Sequence, residues 1–342
     1  MYRKILIYII LIAGSISTLH SQVGNSVYSF LDLPVSSRIA SLGGSNVSLR
    51  DNDLSFSFCN PALLSSENNK QISLSIANYL AGIKFGTAMY GFQLKEKHLL
   101  AVGMQYIDYG KFVETSETNE ELGSFTAKDM ALYLIYNYKI SDRISVGGTL
   151  KPVYSVYERY TSYGVAMDAG ASYAIPEKFF YAGITLRNIG TQLKGYYNTG
   201  GNQHYEPLPF QIEAGISKKL NHAPFRFSLT LHNLQRWNLN YLSGENVDDE
   251  LTKEASFLDM ALRHTIIGVE FVPGKNFYLS AAYNHRRHSE LKMTGFKSAA
   301  GFSFGGGIKL YKFHVGFGMT TFQTGLSAYQ FSIATALNDF GL

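Results

Sequence analysis

The stretch Phe313-His314-Val315-Gly316-Phe317-Gly318-Met319-Thr320 decides the fold. Phe313, Val315, Phe317 and Met319 alternate with His314, Gly316, Gly318 and Thr320, which is the period of a β-strand. The same pattern continues on either side. Tyr329, Phe331, Ile333 and Leu337 share one face of 326–337, opposite Ala328, Gln330, Ser332, Ala334 and Ala336. Phe225, Phe227, Leu229 and Leu231 oppose Arg226, Ser228, Thr230 and His232. A soluble sheet would turn its polar face to water. A membrane barrel turns its apolar face to lipid and its small or polar face to a lumen. Alternation fits both.

Length separates them. From residue 71 onward the pattern predicts strands at 71–80, 83–92, 98–115, 124–140, 144–160, 162–175, 179–190, 208–220, 225–237, 264–274, 277–291, 299–310, 313–322 and 326–337. Each spans about ten residues or more, against about five or six for a soluble strand. A tilted strand needs about nine to eleven to cross a bilayer, and closure leaves no backbone group unpaired. The reading is all-β: a transmembrane antiparallel β-barrel of about 14 strands over 71–342. The connectors agree. Those after even-numbered strands, such as Lys95-Glu96-Lys97, Ser141-Asp142-Arg143 and Pro176-Glu177-Lys178, are short and rich in turn residues. The long ones, near 115–123, 191–207, 238–263 and 291–298, all follow odd-numbered strands. Outer-membrane barrels keep short turns in the periplasm and long loops outside.

Composition supports this reading. Of 342 residues only 16% are charged, below the roughly 25% of a soluble domain. There are 24 Tyr and 23 Phe, enough to exclude disorder. A net charge of +4 without a basic cluster argues against nucleic acid as a partner. The single cysteine, Cys59, excludes an intrachain disulfide and a cysteine zinc site.

Residues 1–21 read as a signal peptide. Arg3 and Lys4 precede the apolar run Ile5 to Ala13, and Gly14 to Ser21 is small and polar. Cleavage is expected after Ser21 or, second, after Ser17. The run is too short for an anchor helix. Residues 22–70 do not alternate and are expected to hang in the periplasm or plug the lumen. Asn60 can cap a short helix with Pro61 at its first position, and Gly43 or Gly44 can end an earlier one.

Several motifs carry no chemistry. Gly301-Phe302-Ser303-Phe304-Gly305 matches a nucleophile elbow but sits in an alternating strand, where no strand-to-helix turn is expected. His285 and His288, three apart on a predicted strand, point to opposite faces and share no metal. Asp51-Asn52-Asp53 begins like a calcium loop, but Phe56 and Ala62 stand where Gly and Glu are needed. The sequence therefore implies no enzyme, no cofactor and no metal.

Leu33-Pro34-Val35-Ser36-Ser37-Arg38-Ile39-Ala40-Ser41-Leu42-Gly43-Gly44, followed by Asn60-Pro61-Ala62-Leu63-Leu64, resembles the start of the PorV and PorQ group, within the fatty-acid-transporter-like barrels. Arg187-Asn188-Ile189-Gly190 and the stretch from Leu208-Pro209-Phe210-Gln211 to Arg236-Trp237 resemble the PorQ family in particular. The family's motif often reads Ser-Ala-Arg, and Ser37 replaces the alanine here. The resemblance implies a non-enzymatic outer-membrane component of the type IX secretion system of Bacteroidetes. It would hold PorZ at the cell surface, in an attachment complex with PorU and PorV that links cargo to lipopolysaccharide. Two alternatives remain: a transporter for a hydrophobic small molecule and a passive porin.

Three sets of site residues follow. On the face opposite the large apolar residues, Lys151, Asp168, Arg187, Glu213, Arg226 and Glu270 form a lumenal ladder of alternating sign over six neighbouring strands. Asp168 and Arg187, nearly equidistant from the turn at 176–178, are expected to pair across strands. In the long loops Tyr196, Tyr197, Tyr205 and Tyr241 are candidate partner anchors. Arg286 and Arg287, with His285, His288 and Lys292, form a basic strand end suited to lipopolysaccharide phosphates.

Overall fold

The computed structural model describes residues 26–199, 202–239, 256–291, 298–323 and 325–341. The signal-peptide and cleavage readings, Tyr241 and Lys292 lie outside the described residues. Fourteen antiparallel strands close into a barrel, each beside its neighbours in sequence, with the last strand pairing the first. They are β1 (Gln71–Asn78), β2 (Lys84–Lys95), β3 (His98–Thr115), β4 (Glu121–Lys139), β5 (Ile144–Tyr157), β6 (Tyr160–Ile175) and β7 (Phe180–Lys194). The second half holds β8 (Gln211–Lys219), β9 (Phe225–Leu231), β10 (Thr265–Phe271), β11 (Phe277–Asn284), β12 (Phe302–Leu310), β13 (Phe313–Gln323) and β14 (Leu326–Ala336). A two-residue ribbon, Asn198–Thr199 with Asn202–Gln203, lies outside the ring.

The faces fall as the alternation requires. Phe317, Phe331 and Ile333 are exposed on the outer wall, whereas Thr320, Ala328 and Gln330 are buried inside. The short connectors gather at one end of the barrel, and the described parts of the longer loops, 195–199, 202–210, 232–239, 256–264, 285–291 and 298–301, at the other.

Several expected boundaries move. Predicted strand 277–291 stops at Asn284, whose side-chain carbonyl accepts the Arg287 amide at 3.1 Å and so starts a helix, His285–Leu291. The basic residues therefore lie on a helix, and His285 and His288 sit one turn apart rather than on opposite faces of a strand. Strand 225–237 ends at Leu231, and Asn233 then takes a left-handed φ of 56°. The β9 and β10 strands have 7 residues each, shorter than expected. The supposed loop 115–123 shrinks to the turn 116–120, because β3 and β4 run on for 18 and 19 residues.

Residues 26–70 run through the lumen. They enter at the long-loop end, where the Val27 amide donates to the Pro207 carbonyl (3.0 Å). They leave at the short-turn end, where β1 begins. The short helix α1 (Ser37–Ser41) lies against β12, β13 and β14. Its Ser36 cap accepts the Ile39 amide, and Gly44 closes it by donating to Ile39 O (3.0 Å). A 3-10 turn at Pro61–Leu63 lies against β4, β5 and β6, with Asn60 Oδ1 accepting the Ala62 amide (3.0 Å). Both turns carry the expected caps.

The plug fits because the wall is thinned beneath it. A Cβ on Gly147 would meet the Pro61 backbone, on Gly183 the Val47 carbonyl, and on Gly318 the Ser37 carbonyl. Between the plug and β2 to β5 lies an apolar core that includes Phe30, Leu31, Phe58, Phe85, Leu99, Ile107 and Tyr133. The buried charges of the wall lie mainly on β5 to β10, with Asp129 on β4.

Candidate functional site

All six ladder residues face the lumen and are buried. The expected pair of Asp168 with Arg187 does not form. Asp168 and Arg187 sit on adjacent strands, but β7 bulges between them: Met167 faces Ile189 and Ala169 faces Leu186, so Arg187 and Asn188 together oppose Asp168. Asn188 makes the bulge with a φ of 58°. Its amide donates to Asp168 Oδ1 at 2.8 Å, which takes the place of the expected Arg187 contact. The ion pairs are instead Lys151–Asp168 (2.6 Å), Arg187–Glu213 (3.6 Å) and Arg226–Glu270 (2.6 Å). The first two are diagonal in register, and the third is directly opposed.

Each pair also grips the plug. Lys151 donates to Asn188 Oδ1 (2.8 Å), and Asn188 Nδ2 donates onward to Asp32 (3.1 Å). Arg187 Nη2 donates to the Leu31 carbonyl (3.0 Å), while Ser45 donates to Glu213 (2.8 Å). Arg38 donates to Glu270 (3.1 Å) and Asp51 (2.8 Å), and Arg226 reaches the same two carboxylates at 2.6 and 2.9 Å. The result is a four-member ring of alternating charge between plug and wall. The guanidinium of Arg38 lies 4.4 Å from the centre of the Tyr278 ring. Among the charged residues that sequence reading missed are Asp32, Arg38 and Asp51. The signal for Arg38 was its place in the quoted Ser36-Ser37-Arg38 stretch, and that for Asp51 was the failed calcium loop. Asp53, from the same run, caps the turn Leu54–Phe58.

Burial pushes the Asp32 carboxyl up to about 6, against the pull of Arg187. A carboxyl raised on folding contributes stability that is present below about pH 4 and lost as the pH rises through about 6. Asp51 has the opposite sign. Burial would raise it, but Arg38 and Arg226 hold it well below the usual range, so its contribution is lost only as the pH falls below about 4. Between pH 5 and 7.5 only Asp32 of these two titrates. The urea midpoint of the purified barrel is therefore expected to be higher at pH 5 than at pH 7.5. Asp32→Asn should remove that difference. An unchanged difference in the variant would assign it to another group.

The loop residues are placed as follows. Tyr196 turns into the mouth and donates to Ser155 (2.5 Å), so it is not a free anchor. Tyr197 is exposed and stacks on His204, and Tyr205 is exposed. Helix α2 (Phe257–Arg263) and helix α3 (His285–Leu291) meet through Asp259 and His285 (2.9 Å). Arg286 pairs with Glu290 on its own helix (2.7 Å). Arg287 points inward, toward the Gly43 carbonyl at 3.4 Å and the Phe322 ring. Ser303 lies in β12 as expected, buried and 3.4 Å from Thr320.

A cavity of about 760 Å³ opens at the short-turn end, with Arg38, Asp51, Arg226, Tyr278 and His314 among its lining.

No family model and no curated protein sequence matches the chain. Solved structures do match in fold. One is the Pseudomonas putida toluene transporter TodX, at 12% identity and a TM-score of 0.53, over 89% of this chain and 97% of that one. Another is a Pseudomonas aeruginosa FadL homologue, at 9% identity and a TM-score of 0.53, over 88% and 98%. The chain has the fold of a FadL-like outer-membrane β-barrel.

Proposed function

We propose that the chain is a non-enzymatic outer-membrane barrel that anchors a surface partner, PorZ-like, in the type IX cargo attachment complex. The observation that carries this reading is the lumen. Residues 26–70 run through it from the long-loop end to the short-turn end, where a cavity of about 760 Å³ remains, and are tied to the wall by ion pairs. A barrel filled this way can serve as a rigid mount whose long loops face outward, and Tyr197 and Tyr205 are exposed among them. The resemblance of Arg187-Asn188-Ile189-Gly190 and of 208–237 to the PorQ family points the same way. In this reading Arg286 is the basic residue that meets lipopolysaccharide, because Arg287 is turned toward the plug.

A second reading is a transporter for a hydrophobic small molecule. The likeness in fold to the toluene transporter and the FadL homologue supports it more directly than it supports docking. The apolar half of the lumen would line such a path if the plug shifted. One pair of measurements separates the two. Docking expects the barrel, solubilised from native membranes, to retain a surface partner, and trimming 191–207 and 238–263 to release it while the barrel still inserts. Transport expects toluene or a long-chain fatty acid to enter barrel-containing liposomes faster than empty ones. Uptake with no retained partner would overturn the docking reading.

A further inference from the structure

The β3–β4 hairpin outgrows the barrel. The β2 partner of β3 ends at the Lys84–Asp108 pair, and the β5 partner of β4 ends at Ala127–Tyr157. Beyond these rungs β3 and β4 pair, among the described residues, only with each other, from Lys111–Thr126 to Thr115–Glu121. Ser116 and Glu120 close the tip through a 2.8 Å backbone bond. Among the described residues, both outer edges of this ribbon therefore lack a neighbouring strand. Open edges normally carry blunting devices, because they template pairing with another chain. Bulges at Asp108/Lys111 and Glu114/Thr115 bend the ribbon without covering either edge.

Its side chains are unusual for a structure standing in water. Phe112 and Phe125 stack across the two strands, with ring centres 5.3 Å apart. Val113 is 57% exposed and Leu122 63%, far more than burial within this chain would leave. Glu114, Glu117, Glu120 and Glu121 crowd the tip, and Lys111 is the one basic residue from 110 to 126. Four carboxylates repel the phosphates of a lipopolysaccharide surface, so the apolar side chains do not read as a lipid anchor. An anionic, apolar, open-edged ribbon fits a protein that presents a basic strand.

We propose that residues 110–126 form a docking ribbon to which a surface protein adds a strand flanked by Lys or Arg. Main-chain bonds along the open edge would supply affinity, Phe112, Val113 and Leu122 the apolar contact, and the glutamates the selection by charge. The proposal rests on the docking reading above and names a contact separate from the 191–207 and 238–263 loops.

The test places the photo-crosslinker p-benzoyl-phenylalanine at Val113 of the full chain in native cells, with a second probe at Tyr205. The expected result is a protein adduct at Val113, mapped by mass spectrometry to a segment rich in Lys or Arg. Its yield should fall at least tenfold in Glu117→Lys, Glu120→Lys, Glu121→Lys, with the folded barrel confirmed by its heat-modifiable migration. If that triple variant fails to fold, raising the salt to 0.5 M replaces it and should lower the yield in the same direction. An adduct with lipopolysaccharide, no adduct at all, or a protein adduct indifferent to both charge reversal and salt overturns the proposal. A protein adduct at Tyr205 alone overturns the ribbon and leaves the docking reading standing; no protein adduct at either position removes both.

Discussion

Lys151→Met is expected to destabilise the barrel by about 3–5 kcal/mol, the range for stripping one partner from a buried ion pair. Lys151→Met combined with Asp168→Asn is expected to cost much less. Both side chains are fully buried, and their charges lie 2.6 Å apart. With Lys151 gone, Asp168 keeps the Asn188 amide but has no cation in contact. Substituting both members removes the uncompensated charge, and the asparagine oxygen can still accept that amide. Urea midpoints for the two single variants and the double variant, read from the heat-modifiable band, check this. A double variant destabilised by the sum of the two single effects would mean that the pair is not coupled.

Gly183→Val carries the second large effect. The new side chain would land on the Val47 carbonyl, which is plug backbone and cannot step aside by changing rotamer. Overpacking of this kind costs about 1–3 kcal/mol, and here the cost falls on the plug rather than on the ring. The β7–β8 ladder around Gly183 has its own hydrogen bonds and should survive. The wild-type chain is expected to be electrically silent in a planar bilayer. Gly183→Val is expected to conduct, with unchanged insertion. Gly274→Ala, where a Cβ meets nothing within 4 Å, is the control. A silent Gly183→Val would show that the plug is held without close contact to β7.

Strand number, direction and inner face were legible because lipid imposes a period of two on every crossing strand. The six buried charges were legible for the same reason, since each falls on the small-residue face of its strand. Their pairing was not. A count from the turn at 176–178 assumes one residue per rung, and the bulge at Arg187 and Asn188 breaks that count. Asn188 tolerates its left-handed φ, yet nothing in a strand pattern marks which asparagine will adopt it. The loss of strand after Asn284 was hidden in a similar way. Whether Asn284 continues a strand or caps a helix depends on which backbone amide its side chain finds, and that amide belongs to Arg287. Arg38 and Asp51 escaped because their partners lie far off in sequence, at Arg226 and Glu270.

The path of residues 26–70 also sets an order of assembly. The ring closes where Gln71 meets Ala336, so its final seam waits for the last strand of the chain. The plug is synthesised first, and Val27 ends up at the end of the barrel opposite that where β1 begins. Threading it through a finished ring would drag Arg38 and Asp51 past the apolar half wall. A sheet curling around a segment already in place meets no such obstacle, and β9 and β10 find their charge partners, Asp51 and Arg38, waiting. The plug then acts as the former on which the cylinder is wound, and a chain lacking it would have to shape an empty tube with no inner template.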